Sequence, residues 1–540
     1  MSKRRLSVFA VGTADWMKFR PYTRFSPQYD GYYLKLANQV FEELNDPVRY
    51  FRTALNREQL VELAVVLSSW FEDYANEIGI WSTFVRKNKD LFGYQLPFFS
   101  LENYNEEDLN PEDIVYLLWH YCCKTASKFI DPLSPGLMEL AETLADLFDE
   151  ALNEAPGTDF YDDFLHIPED IYFFELKGKL HWMAFQNYLL GPEFGHLMKE
   201  AAQELFEKRQ EMLDNYGDPG KLLYTMQDDY HYKKSSSFLA YTTPEWLAEV
   251  ADCPETLRAD IRRLFQRIIG EFVYEGNEGK YYQFRHFYTK RLFKVHQQSV
   301  ELKGIMTDEL VFTTIVNWRG DWWVTGTLAG FGNSKDAARK APQNFEPGSI
   351  SYYAYEPSQQ QTLREMSADM EQAHLEFFGD RMVFFKNNRD LKAALEKQTE
   401  YYNQTKSKAK DRKKDDASGK PKFDTQPDID LSDIDLGKGF AIFFEPGEGL
   451  SISASIPIMA QRLAQKNISQ DHAAELFFDL FKECSPTAIR YLLDKYSMRN
   501  LAFPVKTSIE IAPHLEFLMR FYNPGNFREV LPNTTLMLES

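Results

Sequence analysis

The chain has 540 residues, 44% hydrophobic and 15% aromatic, with 61 Lys and Arg against 81 Asp and Glu for a formal charge of −20. Such apolar content excludes a wholly disordered or collagen-like chain. The charge excludes a surface that clings as a whole to nucleic acid or anionic lipid and leaves only a local basic patch for that task.

Length predicts about three to five domains. Four cysteines, Cys122, Cys123, Cys253 and Cys484, are too few for a disulfide scaffold in a chain this long and fit a reducing compartment. The opening MSKRRLSVFAVGTADW has an apolar stretch of only about six residues before Asp15, Trp16 and Lys18, so no signal peptide is expected. No window approaches the roughly 18–20 apolar residues of a membrane-spanning helix. The expectations are a cytoplasmic location and no membrane association.

From about residue 47 to 270 the apolar spacing is helical. Leu60, Leu63, Ala64, Leu67, Phe71, Tyr74 and Ile78 recur at steps of three and four behind Asn56 and Gln59, which form a capping pair. Ser134 and Pro135 open a second helix, with Leu137, Leu140, Leu144, Leu147, Phe148 and Ala151 on one stripe. Further helices are predicted over 111–129, 179–214, 244–251 and 256–273, the last two punctuated by Pro244 and Pro254.

Beyond Gly279 the composition turns to β-branched and aromatic residues. Leu310–Trp318 and Trp322–Leu328 about Arg319-Gly320-Asp321 predict a hairpin. Tyr281–Lys303 predicts one or two more strands, and Ser349–Tyr355 another. A helix over 358–377, a strand over Arg381–Lys386 and a helix over 388–404 follow. Residues 405–437 read as a charged flexible linker, basic from Lys406 to Lys422 and acidic from Asp424 to Asp435. Gly439–Ile452 predicts strand, turn and strand, followed by helices opened by Ser469 and by Ser485-Pro486 and a last α+β piece closing near Phe521.

The expected fold class is therefore α+β, in four parts. These are a mainly helical domain over 1–270, a domain over 271–404 with a central antiparallel sheet flanked by helices, the linker 405–437, and a small α+β C-terminal unit over 438–540.

Three segments resemble a family of uncharacterised bacterial proteins that carries only a domain-of-unknown-function label. They are Trp16–Leu44 (WMKFRPYTRFSPQYDGYYLKLANQVFEEL), Gly79–Trp119 (GIWSTFVRKNKDLFGYQLPFFSLENYNEEDLNPEDIVYLLW) and, more weakly, Tyr491–Phe521 with its LDKYSM and LEFLMRF. The resemblance implies a cytoplasmic bacterial protein with a helical N-terminal part, and brings no activity, cofactor or site residue.

The sharpest local anomaly is Lys280–Val300, which holds Lys280, Arg285, Lys290, Arg291 and Lys294 without one carboxylate. Tyr281, Tyr282, Phe284, Phe287, Tyr288 and Phe293 are interleaved with these cations, the mixture a phosphate groove with base-stacking platforms needs. The same pattern describes an amphipathic element whose aromatics enter the core while its cations pair with surplus carboxylates. Arg285, His286 and His296 are the residue types of a phosphate clamp and a general acid or base. Trp322 and Trp323 are adjacent on a strand and face opposite sides, so both are covered only if both faces of the sheet are, and an exposed one suits a partner or ligand contact.

Other constellations read as structural. Asp113, His120, Cys122 and Cys123 are metal-ligand types at poor spacing, since Cys122 and Cys123 point about 100° apart on a helix and no second CxxC or HxxxH completes a site. His196 and Glu200 suit a solvated pair one helical turn apart. Asp228-Asp229-Tyr230-His231 reads as a turn, and Asp428, Asp430, Asp433 and Asp435 as a solvated tail, neither having the Gly and Glu of a calcium loop. Gly326–Gly332 and Gly447–Gly449 read as turns, and no phosphate-loop, GxSxG, HExxH or kinase signature is present. No metal and no cofactor are expected.

The leading reading is a cytoplasmic, non-enzymatic protein-interaction or assembly component with an unknown protein partner. The alternatives are a nucleic-acid or nucleotide-binding protein working through residues 280–296, and a metal-independent hydrolase of a phosphate-containing substrate with His286 or His296 as base. The binding residues nominated are Arg285, His286, Lys290, Arg291, Lys294, His296 and Trp323; no catalytic residue is assigned.

Overall fold

The computed structural model describes residues 10–46, 54–99, 104–105, 108–207, 219–333, 350–410, 439–528 and 533–537. Twelve helices among them build the N-terminal body: α1 (Thr13–Met17), α2 (Tyr29–Leu44), α3 (Arg57–Ala75), α4 (Ile80–Phe92), α5 (Pro111–Lys124), α6 (Pro135–Leu152), α7 (Phe160–Leu165), α8 (Phe173–Phe185), α9 (Gly191–Glu207), α10 (Pro219–Tyr232), α11 (Thr243–Val250) and α12 (Glu255–Arg262). The predicted capping pair is formed: Gln59 N–H donates to Asn56 Oδ1 and Asn56 N–H to Gln59 Oε1, both at 3.0 Å. That pair satisfies two donors at the start of α3 that would otherwise be unbonded.

Helix α5 lies at the centre, with Asp113 through Cys122 all buried. A helix apolar on every side must be covered on every side, and the covering comes from both ends of the chain. The ring of Trp119 stands 4.9 Å from Phe98 and 4.7 Å from Phe521, more than 400 residues further along. Helices α15 (Ile456–Ala464), α16 (Gln470–Glu483), α17 (Pro486–Tyr496) and α18 (Leu515–Tyr522) thus share one apolar core with the N-terminal body; α13 and α14 are placed below.

The expected helix over 256–273 stops at Arg262, and β1 (Ile268–Glu278) begins after a short 3-10 turn. Leu257, Ile261, Leu264 and Ile268 are spaced as a helical stripe and are all buried, but from Ile268 the backbone pairs with a strand on one side and from Phe272 on both. The expected helix over 179–214 is likewise broken between α8 and α9 within the described residues. There the Asn187 side chain accepts from the N–H groups of Leu189 and Leu190 at 2.8 and 3.0 Å and restarts the chain. Gly191 opens α9 because a Cβ there would stand 2.8 Å from the ring of Phe19.

Strands β1, β2 (Tyr281–His286), β3 (Leu292–His296), β4 (Glu309–Trp318) and β5 (Asp321–Val324) close into a small barrel in the order β1-β2-β3-β5-β4-β1. Every pairing is antiparallel except β3 with β5, which is parallel at Val295 and Trp322. The class is α+β as expected, and the central sheet is antiparallel but for the single parallel pairing of β3 with β5 and curls on itself. The predicted hairpin is β4 and β5, whose tip places Arg319 and Gly320 at φ 52° and 89°, the left-handed pair that a two-residue turn requires. Ile268, Phe272, Phe284, Phe293, Val295, Val311, Ile315 and Val324 fill the interior, as side chains do in a barrel this narrow.

The predicted strand over Ser349–Tyr355 is instead, within its described part, a 3-10 turn over Tyr352–Ala354 whose Ala354 joins the barrel core. The stretch expected to be a turn over Gly326–Gly332 contributes to β6 (Ala329–Asn333), paired along β4. Helix α13 (Pro357–Phe378), β7 (Met382–Phe385), α14 (Asn388–Lys410), β8 (Phe440–Glu445) and β9 (Gly449–Ser453) follow largely as read. Strand β10 (Asn533–Met537) completes a four-stranded sheet in the order β10-β9-β8-β7. Residues 411–438, most of the predicted linker with its acidic run, lie outside the described residues.

Candidate functional site

The basic-aromatic segment is the β2–β3 hairpin. Alternation along the strands sends Phe284, Phe293 and Val295 into the barrel, and the cations are engaged outside it. Arg285 grips Glu275 with Nε and Nη2 at 2.6 and 2.9 Å; Lys294 pairs with Glu278 at 3.0 Å and Lys280 with Asp321 at 3.4 Å. Arg291 stands 3.5 Å from Glu356 and donates to the carbonyls of Tyr353 and Tyr355 at 3.0 and 2.9 Å, tying down the turn that caps the barrel. Lys290 donates to the carbonyl of Phe287 at 2.6 Å. Four carboxylates thus stand against the five cations.

The two histidines do not converge. In the β2–β3 register His296 pairs with Tyr281, five residues from His286, which is about 17 Å at ~3.4 Å per residue. His286 is buried; its Nδ1 accepts from the Thr289 N–H at 3.1 Å, and burial, reinforced by Lys290, holds its pKa down at about 4. His296 stacks on Trp323 with centroids 4.4 Å apart, and burial, then Lys280, lowers it. Trp323 in turn packs on Phe173 at 4.9 Å, beside Tyr172 at 6.0 Å and Phe174 at 6.2 Å. Trp323 is buried on the helical side while Trp322, half-buried, faces the barrel core, so both faces of β5 are covered.

A denser constellation lies where α8 and α10 meet the barrel. Lys177 Nζ donates to the carbonyl of Thr325 at 2.5 Å, to Asp228 Oδ1 at 3.2 Å and to Tyr224 at 3.3 Å. Thr325 donates its hydroxyl to Asp228 Oδ2 at 2.7 Å. The Arg267 guanidinium stands 3.5 Å from Asp228 and pairs with Asp229. His181 Nδ1 and His231 Nε2 share a hydrogen bond at 3.0 Å, and His231 Nδ1 faces Asp228 at 3.9 Å.

Burial alone would raise the Asp228 carboxyl; its contacts with His231, Lys177, Arg267 and Thr325 outweigh that and hold it at about 2. The network balances two carboxylates against Lys177 and Arg267 and leaves an imidazole pair through which a proton can pass. Asp228-Asp229-Tyr230-His231, expected as a turn, is the last turn of α10, where Asp228 and His231 share one face at a spacing of three.

The profile of one protein family, described as "Protein of unknown function (DUF3843)", matches residues 11–320, more than half of the chain. The chain belongs to the DUF3843 family. No curated protein and no solved structure is detectably similar to it. The DUF3843 region contains Trp16–Leu44 and Gly79–Trp119, takes in the whole helical body and ends at the β4–β5 turn, so Lys177, Asp228 and Arg267 of the network lie inside it and Thr325 and Tyr491–Phe521 beyond it.

Of the constellations read as structural in this DUF3843 member, Asp113 accepts from Tyr104 at 2.8 Å and His120 Nε2 meets Ser237 at 2.7 Å, two turns apart on α5. Among the described residues, no group of three or more His, Cys, Asp or Glu is placed to hold a metal ion. His196 and Glu200 form the expected partly solvated pair at 3.2 Å. The Asp428–Asp435 run lies outside the described residues. Lys177, His181, Tyr224, Arg267 and Thr325 escaped the sequence because their partners lie 38 to 148 residues apart. The spacing of Asp228 and His231 was the one local sign of the site.

Proposed function

We propose that this protein is a non-enzymatic binding component of a cytoplasmic assembly, with the barrel and the helix edge beside it as the surface offered to a protein partner. One observation carries the reading: Tyr172 and Phe174 are 43% and 37% exposed and stand over the buried Trp323, an aromatic shelf at the seam between barrel and helices. Exposed aromatic rings on a rigid base are the residues that anchor protein interfaces. The paired cations of the β2–β3 hairpin and the separated, buried His286 and His296 support binding over catalysis. The four free cysteines support a reducing compartment.

Affinity purification of the full chain from its source cells, in low and high salt, tests this. The expected result is a stoichiometric protein partner that survives high salt and is lost in the Tyr172→Ala/Phe174→Ala variant. A partner held equally by that variant, or none at all, overturns it.

A second reading, nucleic-acid binding through Lys280–His296, draws support from the barrel's connectivity. A five-stranded Greek-key barrel is the architecture on which oligonucleotides and oligosaccharides are bound across strands β2 and β3. It predicts salt-sensitive binding of single-stranded oligonucleotides that is lost in Arg285→Ala/Lys290→Ala, and unchanged binding in that variant overturns it.

A further inference from the structure

We propose that the His181–His231 pair is an acid-sensitive latch between the helical body and the barrel, released when the pair takes up protons. The geometry starts with the single hydrogen bond at 3.0 Å, which needs one neutral ring as acceptor. Around it the charges already balance. Lys177 comes from α8, Asp228 and Asp229 from α10, and Arg267 from the chain leading into β1, with the uncharged Tyr224, Thr314 and Thr325 alongside. The carboxylates of α9 that approach α10, Glu193 and Glu200, act on Tyr230. Phe185 packs beside the pair, its ring 5.5 Å from His181, which is itself partly exposed, and 5.7 Å from the buried His231.

Each added proton therefore places an unbalanced cation beside Lys177 and Arg267, at a site where Asp228, His231 and Arg267 are 1%, 3% and 4% exposed. A second proton removes the acceptor and breaks the bond. Asp228 offsets only part of this: it pulls the His231 pKa up against the larger effect of burial, and both its oxygens are already engaged, with Lys177 and with the Thr325 hydroxyl. Its nearest approach to the His231 ring is 3.9 Å, and His231 Nδ1 has no hydrogen-bond partner. Burial, the neighbouring imidazole and Lys177 hold His181 at about 4, and burial lowers His231 against the pull of Asp228. The open form takes protons at the ordinary histidine value near 6.5, so acid favours opening. What opens is the grip of α10 and Lys177 on Thr325, immediately after β5.

Hydrogen–deuterium exchange of the full chain between pH 7 and pH 5, corrected for intrinsic rates, tests the latch. Protection over 173–185, 219–232 and 321–327 is expected to fall about tenfold or more per pH unit, because each extra proton on the open form changes the opening constant tenfold per unit. Helix α3 is expected to change less than twofold. His181→Gln, alone or with His231→Gln, is expected to flatten the seam's dependence. If neither variant folds, the wild-type imidazole resonances decide: they must titrate in step with the loss of protection. A seam that changes less than twofold, parallel loss in α3, a variant that keeps the wild-type slope, or resonances that titrate without opening overturns the proposal.

Discussion

His296 lies flat on Trp323, ring centroids 4.4 Å apart and planes 12° from parallel, beside the parallel pairing that closes the barrel. Trp323 is 6% exposed and wedged between that imidazole and Phe173. Trp323→Ala is expected to cost about 3–5 kcal/mol, whereas Leu292→Ala, on an exposed side chain of the same sheet, should cost well under about 1 kcal/mol. Denaturant midpoints of the two variants check this; equal shifts would contradict the seam packing.

The Arg285–Glu275 pair has ideal two-pronged geometry, but both side chains are more than a third exposed. Solvent screening limits such a pair to about 0.2–1 kcal/mol. A double-mutant cycle with Arg285→Ala and Glu275→Ala is expected to give a coupling in that range that shrinks in high salt, and a coupling above about 2 kcal/mol would refute it.

Glu445 is buried on β8 and accepts from the Ser485 hydroxyl. Burial raises its pKa to about 7, with the hydrogen bond from Ser485 opposing. Between its ordinary value and about 7 the folded state holds the extra proton, so stability from this group falls as pH rises through that window. Glu445→Gln removes the dependence. The variant's stability relative to wild type should improve by on the order of 3 kcal/mol from about pH 4.5 to pH 8, and a difference that stays flat in thermal or urea melts would falsify the assignment.

Phe521 is fully buried against Trp119, with the Lys124 ammonium 4.1 Å from its ring centre. Phe521→Ala is expected to cost about 3–5 kcal/mol. A chain ending before residue 438 should bare the rings of Phe98, Trp119 and Phe129 and bind hydrophobic dyes. A truncated protein with native near-ultraviolet circular dichroism would show that the N-terminal core is complete without the last helices.

Much of the secondary structure was legible because it rests on near neighbours. The Asn56–Gln59 cap, the Leu60–Phe71 stripe, the Arg319–Gly320 turn and the Ser469 and Ser485 caps each depend on residues within one or two turns of each other. The misreadings fell where long-range pairing overrode local pattern. Ile268 continues a helical stripe with Leu257, Ile261 and Leu264, yet it pairs with Ile315 in a strand. Asp228–His231 has turn-forming residues, but its contacts with Lys177, Arg267 and Thr325 hold it in a helix.

Composition and periodicity by themselves determined the α+β class and the amphipathic helices, because hydrophobic spacing reports which side of an element is buried; for Lys280–Val300 they left a phosphate groove and an amphipathic element side by side, and the barrel decided that Phe284 and Phe293 face inward. Tertiary structure alone decided that the strands close on themselves, that α18 finishes the core around α5, and that five separated residues gather about Asp228. The reason is physical: strand pairing joins Ile268 to Ile315 and Val295 to Trp322, charge balance joins Lys177 and Arg267 to Asp228, and no local window contains both partners.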